Sequence, residues 1–401
     1  MASQSFRKRA ELLGHSIAAL EGGAMITSKI AVPNIDELKK LLDQGTDPAQ
    51  RHQLAEDLFG SIPITDPQQD TSEGGILRRV EAFLYDDAPL SDIDRERTKN
   101  LFPLEVTAIS AVTTTITSQW DLGTSLNLAI YNLDTLDMEE GGFITIQNTP
   151  LQFTVNTLIR NGSAPSPYSD FNIFGATGAV GGAGSAGGQG GAGSVGSRGT
   201  CSSPGIAGKA GGPGGQGNTG TAGSTGGQGS NGLPSMAATI SIAAITGSAK
   251  AISVLTRSGT GGAGGTGGAG GKGGTGGNGG AGANCDCEGT NGGNGGNGGT
   301  GGHGGGGGNG GNGVDAAANI VVLVPSGQTG MIFPITAAAS SGQGAAPGAG
   351  GPGGDPGNGG NAGKHSSSGS KGKTGSAGAT GSFGKPGTVG GNPAQILVKS
   401  Q

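Results

Sequence analysis

The chain has 401 residues, of which 92 are glycine, about three times ordinary usage, while only 3% are aromatic and 13% are charged. That composition excludes an ordinary globular enzyme over the whole length. Eleven glycines fall in residues 1–174 and the other 81 in the 227 residues from 175 onward; the first part carries 13 Lys and Arg against 24 Asp and Glu, the second 10 against 4, so net −11 meets net +6.

The basic half is too dilute to form the clustered cationic face of a nucleic-acid-binding protein. No 18-residue apolar run is present for a membrane span. Met1–Leu20 carries Arg7, Lys8, Arg9 and Glu11 where a secretory leader would be apolar, so no classical signal peptide is expected. The expected location is an extracellular surface or a virion-type assembly rather than the cytoplasm.

Phe6, Ala10, Leu13, Ile17 and Leu20 alternate spacings of four and three, the seam of a short amphipathic helix that wants a partner. Asn34 with Glu37 three residues on caps a second helix that stops at Gly45. Asp47-Pro48 opens a third, Ile76 to Leu84 marks a fourth, and Ser91 to Asp94 caps a fifth that runs towards Leu101. His15 and His52 read as exposed helix residues. Residues 1–102 are therefore expected to form a helical anchoring segment through which a homo-oligomer assembles. From Pro103 the pattern turns to β-branched residues in short alternation at Val106–Thr117, Leu126–Leu133, Phe143–Gln147 and Leu151–Arg160, a β module over 103–174. Asp134, Asp137, Glu139 and Glu140 fit no cation-binding loop and read as a solvated turn.

From Gly175 a glycine recurs every third residue in three blocks, within 175–234, 259–313 and 342–391, with 51 glycines at 56 in-phase positions. A flexible linker has no reason to keep phase. A period of three belongs to a polyproline-II-type helix, which makes no internal hydrogen bonds and must pair outward. Ten prolines in 227 residues are too few for collagen. Each block breaks near its middle, at Thr200–Pro204, Ala283–Glu288 and Lys364–Ser368, so each is expected to be a hairpin of two arms, on the order of 75–80 Å long at ~3.1 Å per residue. Residues 237–257 and 319–337 read as strand pairs and 395–399 as a last strand, gathering into one β base. The expected fold class is thus multidomain α + β + polyglycine-II: N-terminal helices, a β base, and a six-arm polyglycine-II bundle made of three hairpins over 175–401. The second block, mostly bare GGX triplets, is expected inside the other two.

The triplets GNGGNGG and GGPGGQGNTG resemble those of snow-flea antifreeze proteins, and three glycine-rich hairpins leaving a β base resemble the Obg domain of ribosome-associated GTPases. The plan is also similar to the long-tail-fibre adhesins of some bacteriophages. The resemblance covers about residues 143–401 and implies a bundle whose tip loops bind.

No titratable groups converge on a catalytic site, and Ser367–Thr374 lacks the first glycine, the strand and the helix of a phosphate-binding loop. Parallel hairpins would bring Cys201, Cys285, Cys287 and His365 to one end. Two arrangements follow: a disulfide from Cys201 to Cys285 or Cys287 with one thiol left over, or a closed Cys3His zinc set. The binding tip is expected at Cys201, Ser203, Asn284, Cys285, Asp286, Cys287, Lys364 and His365. The expected function is a non-enzymatic structural and binding protein whose partner is a surface receptor or a glycan. Ice binding through small outward residues is the first alternative; ribosome or RNA contact through Lys364, Lys371, Lys373 and Lys385 is the second.

Overall fold

A computed structural model of the chain describes residues 2–43, 48–60, 70–85, 88–124, 127–249, 251–388, 390 and 393–401. The N-terminal part holds α1 (Gln4–Leu12), α2 (Ile17–Glu21), β1 (Ile26–Val32), α3 (Ile35–Asp43), α4 (Pro48–Phe59), α5 (Glu73–Tyr85) and α6 (Asp92–Thr98). Short polar side chains start several of these helices. Ser3 Oγ accepts the Phe6 N–H, Ser16 Oγ that of Ala19, Asn34 Oδ1 that of Glu37 at 3.0 Å, and Ser91 Oγ that of Asp94.

The expected seam from Phe6 to Leu20 is broken after Leu13, where Gly14 turns the backbone at a φ of 74°. Its apolar side needs no second chain, because Phe6, Ala10 and Leu20 pack against Val112 within the same molecule. The turn also carries His15 inward. Its ring nitrogens lie 2.8 Å from Ser110 Oγ and 2.8 Å from Ser28 Oγ, and it is buried rather than exposed as its sequence suggested.

Strands follow: β2 (Leu104–Ile116), β3 (Gln119–Asp121), β4 (Ala129–Met138), β5 (Phe143–Gln147), β6 (Leu151–Arg160) and β7 (Phe171–Phe174). Two short pieces, β8 (Cys201–Ser203) and β9 (Ile206–Ala207), interrupt the first glycine block. Then come β10 (Ala238–Thr246) and β11 (Ile252–Arg257), the short β12 (Asn284–Cys285) and β13 (Glu288–Gly289), and finally β14 (Ile320–Val324), β15 (Ile332–Ala337) and β16 (Ile396–Ser400).

These strands build a seven-stranded sheet in the order β1-β2-β4-β6-β10-β14-β16 and a five-stranded sheet in the order β15-β11-β7-β5-β3. Among the described residues only β1 pairs antiparallel in these sheets, with β2; every other ladder in the two is parallel. From β2 onward the chain alternates between the sheets, so each circuit adds one strand to each. The inward faces share one core, in which Leu133, Phe153, Ile240 and Ile320 of the larger sheet meet Ile144, Ile173, Val254 and Ile332 of the smaller. Phe153 and Phe171 meet edge to face across it at 5.6 Å.

All three glycine blocks are inserted at one corner of this coil, after β7, β11 and β15, where the chain returns from the smaller sheet to the larger. Over the described residues of the arms the backbone forms neither helix nor ladder. In the first two blocks every third N–H reaches sideways to an arm of another block: Gly178 to Thr260 O at 2.8 Å, Gly211 to Asn291 O at 2.9 Å, Gly261 to Ser340 O and Gly292 to Ser367 O at 3.0 Å. Arms of one block also bond to each other, as from Gly212 to Ser197 O and Gly293 to Gly280 O. The second block bonds to both others. Asparagines in its returning arm add a further row: the Oδ1 atoms of Asn294, Asn297, Asn309 and Asn312 accept the N–H groups of Ser370, Lys373, Lys385 and Thr388 at 2.8 or 2.9 Å.

The expected fold class does not hold. The protein is mixed α/β, with a large, mostly parallel sheet, a five-stranded parallel sheet and, among the described residues, six α-helices; it is not a polyglycine-II bundle standing on a small β base. The segments between the blocks explain the difference. Residues 237–257 and 319–337 were expected to be strand pairs, yet β10 and β11 never pair with each other, nor do β14 and β15; each partner goes to a different sheet. The apolar residues therefore organise two stacked sheets with one core, and the glycine blocks are insertions into that coil. Asp134 and Asp137, expected in a solvated turn, lie in β4, where Asp134 accepts from the Ser3 N–H and Asn156 Nδ2. Burial, reinforced by Glu139, raises the Asp137 carboxyl above its ordinary value.

Candidate binding site at the tip of the glycine arms

At the far end of the arms the phase breaks, and each break makes a tight turn. In the first block β8 and β9 pair antiparallel around Gly205, whose φ of 84° closes the turn. In the second, β12 and β13 pair around Asp286 and Cys287, with Asp286 at a φ of 47°. The third turns through Lys364 and His365, the latter at a φ of 54°. Asp286 and His365 are two of only three non-glycine residues with positive φ among the described residues.

The three turns are tied together. Cys201 and Cys285 form a disulfide with Cα atoms 5.7 Å apart, joining the first turn to the second across 84 residues. Lys364 joins the third: its backbone N–H donates to Asn284 Oδ1 at 2.7 Å and its Nζ to the Asp286 carbonyl at 3.0 Å. Thr290 Oγ1 accepts the Ala283 N–H at 2.7 Å and closes the base of the second turn. Of the residues expected at the tip, Cys201, Asn284, Cys285, Asp286 and Lys364 are thus in one connected cluster. Cys287 is an exposed free thiol, and Ser203 and His365 are exposed beside their own turns.

The Cys3His zinc set is not formed, because the disulfide consumes two of its three thiolates. Among the described residues no group of three or more His, Cys, Asp or Glu side chains is placed to hold a metal ion. Ile206 belongs to the tip surface although its sequence position did not single it out. It is 57% exposed, and the available signal was a lone large apolar side chain inside a glycine-rich turn.

No helix among the described residues is long and apolar enough to cross a membrane. Comparison of the chain with protein-family models, with curated proteins and with solved structures gives no match.

Proposed function

We propose that the protein is a non-enzymatic structural and binding protein, in which the two-sheet coil carries the glycine arms and the arms hold out one composite tip surface. One observation carries this reading: three turns from three separate blocks are locked into a single cluster by the Cys201–Cys285 disulfide and the Lys364 bonds to Asn284 and Asp286. Glycine arms with regular lateral bonds are an ordering cost with no catalytic return, since glycine loses the most backbone freedom on folding. A rigid display of exposed polar and apolar groups is a use that matches that cost. The partner expected is a surface receptor or a glycan, met at an extracellular or virion-type surface, and the disulfide favours an oxidising compartment.

The test keeps the disulfide and changes the exposed groups, in a variant combining Ser203→Gly, Ile206→Ser, Asp286→Gly, Cys287→Ser and His365→Gly. Wild-type protein is expected to bind members of a glycan and whole-cell panel, and the variant to lose that binding at unchanged melting temperature. Equal binding by a folded variant contradicts the proposal, as does a wild-type protein that binds no member of the panel.

A further inference from the structure

The three blocks stack in one direction, and the stack has two outer edges. In the second block each residue that accepts from the first is followed by a glycine that donates to the third. Thr260 accepts from Gly178, and Gly261 donates to Ser340 O; in the returning arm Asn291 accepts from Gly211, and Gly292 donates to Ser367 O. The pattern repeats every third residue, and every such donor in the second block, from Gly261 to Gly282 and from Gly292 to Gly313, is glycine. Sterics require it in the returning arm. A Cβ at Gly292, Gly298, Gly301 or Gly307 would fall 1.9 or 2.0 Å from a carbonyl oxygen in the outgoing arm of the third block. These positions are bare so that the next hairpin can lie against them.

The third block keeps the same register with no block beyond it. The residues that follow its acceptors in the returning arm are Lys371, Thr374, Ala377, Thr380, Phe383 and Pro386, none of them glycine and all exposed. Phe383, at 76%, is the most exposed large apolar side chain among the described residues. By the register, the Cβ atoms of this row stand where the outgoing arm of a fourth hairpin would run. In the block's own outgoing arm Pro347 and Pro356 take two donor positions and have no N–H to offer. The N–H groups of Gly344, Gly350, Gly353 and Gly359 donate to no group among the described residues. Unpaired backbone along a repeating edge is what lets a sheet add foreign strands, and lysine and proline on the edge oppose it.

The first edge is closed by another means. Gly268 and Gly271 of the second block donate to Ser224 O and Thr221 O of the first. The corresponding N–H groups of the first block, on Ser185 and Gly188, are taken by Ser224 Oγ and Thr221 Oγ1 of the same block, each at 2.6 Å.

We infer that the outer row of the third block is a guard against lateral growth: Lys371, Thr374, Ala377, Thr380, Phe383 and Pro386 keep the glycine arms of a second copy of this chain from extending the lattice. Stripped of these side chains the edge would be self-complementary. It has free donors in Gly344, Gly350, Gly353 and Gly359, and its carbonyls at Gly372, Gly375 and Gly378 correspond to those of Gly296, Gly299 and Gly302, which accept from Gly357, Gly354 and Gly351. The guard concerns the sides of the arms and is independent of what the tip binds.

Sedimentation velocity of the full chain tests this with two variants. One combines Lys371→Gly, Thr374→Gly, Ala377→Gly, Thr380→Gly, Phe383→Gly and Pro386→Gly; the other places alanine at the same positions, so that a Cβ remains at each. The glycine variant is expected to self-associate at least about tenfold more tightly than wild type, and the alanine variant to sediment as wild type does. A folded glycine variant that sediments as wild type overturns the inference, as does an alanine variant that associates as tightly as the glycine one. If the glycine variant does not fold, amide exchange in wild-type protein decides. Gly350, Gly353 and Gly359 are expected to exchange at least about a hundredfold faster than the paired donors Gly270, Gly273 and Gly279 at every concentration up to about 0.5 mM. Protection of the first three at any of these concentrations overturns the inference.

Discussion

A methyl group on the α-carbon of Gly265 would fall 1.9 Å from the carbonyl oxygen of Gly182, whereas one on Gly182 would meet nothing within 4 Å. The two glycines face each other in neighbouring arms, yet only one is required. Gly265 donates its N–H to Gly227 O at 2.8 Å, and Gly227 donates to Gly182 O at 2.7 Å, so the three backbones are drawn together at that level. Gly265→Ala is expected to cost about 3 kcal/mol, since the obstructing atoms are backbone and cannot swing aside. Gly182→Ala is expected to be neutral or to stabilise by up to about 1 kcal/mol by restricting the unfolded chain. Chemical denaturation of the two variants checks the contrast, and equal losses would count against the packing of the arms.

Closing a loop of 84 residues, the Cys201–Cys285 bond restricts the unfolded chain by on the order of 4 kcal/mol. Cys201→Ser with Cys285→Ser is expected to lose much of that, with the earliest loss of amide protection at the tip rather than in the sheets. Thiol counting on the unreduced, denatured protein should find one free cysteine, Cys287; three free thiols would remove the disulfide from the account.

Burial holds the His15 imidazole below its ordinary value of 6.5, because the charged ring would lose its hydration between the two serines. The unfolded chain therefore takes up a proton below about pH 6.5 that the folded chain refuses, and stability falls as the pH drops from there. Above 6.5 both states are neutral and the contribution is complete. His15→Gln is expected to flatten the pH dependence of the melting temperature between about pH 5 and 6.5. An unchanged slope would contradict the buried placement.

Arg160 and Asp170 form a buried ion pair at the corner between β6 and β7. Arg160 also donates to the Met138 carbonyl at 3.0 Å, while Asp170 accepts from Ser253 N–H and Oγ at 2.7 and 2.9 Å, tying three circuits of the coil. Removing the acid leaves a buried guanidinium unmatched. Asp170→Ala is expected to cost about 3–5 kcal/mol. A loss under about 1 kcal/mol, the range of exposed pairs, would show that water reaches the corner.

The readable and unreadable parts of this chain divide by range. Helix starts at Asn34 and Ser91 rest on side chains that bond three residues away, and the arms rest on a steric rule repeated every third position, so both are local. The corner between β10 and β11 uses Gly247 and Ser248, the same residues a hairpin would use, and only the distant partners Phe153 and Phe171 decide that the two strands part. The strand β1 was missed although Ile26, Ile30 and Val32 lie on one face, because helix signals flank so short a run. At the tip, the phase breaks pointed to the right turns, but the choice of Cys285 over Cys287 depends on which side chain of a two-residue step faces inward.

Display of the tip turns to a partner is the central claim, and the exposed thiol of Cys287 gives the most direct access to it. Coupling a polyethylene glycol maleimide to Cys287 in otherwise native protein should abolish binding to the glycan and whole-cell panel while leaving the melting temperature unchanged. Binding that persists in fully modified protein would place the partner's contact elsewhere and contradict the account.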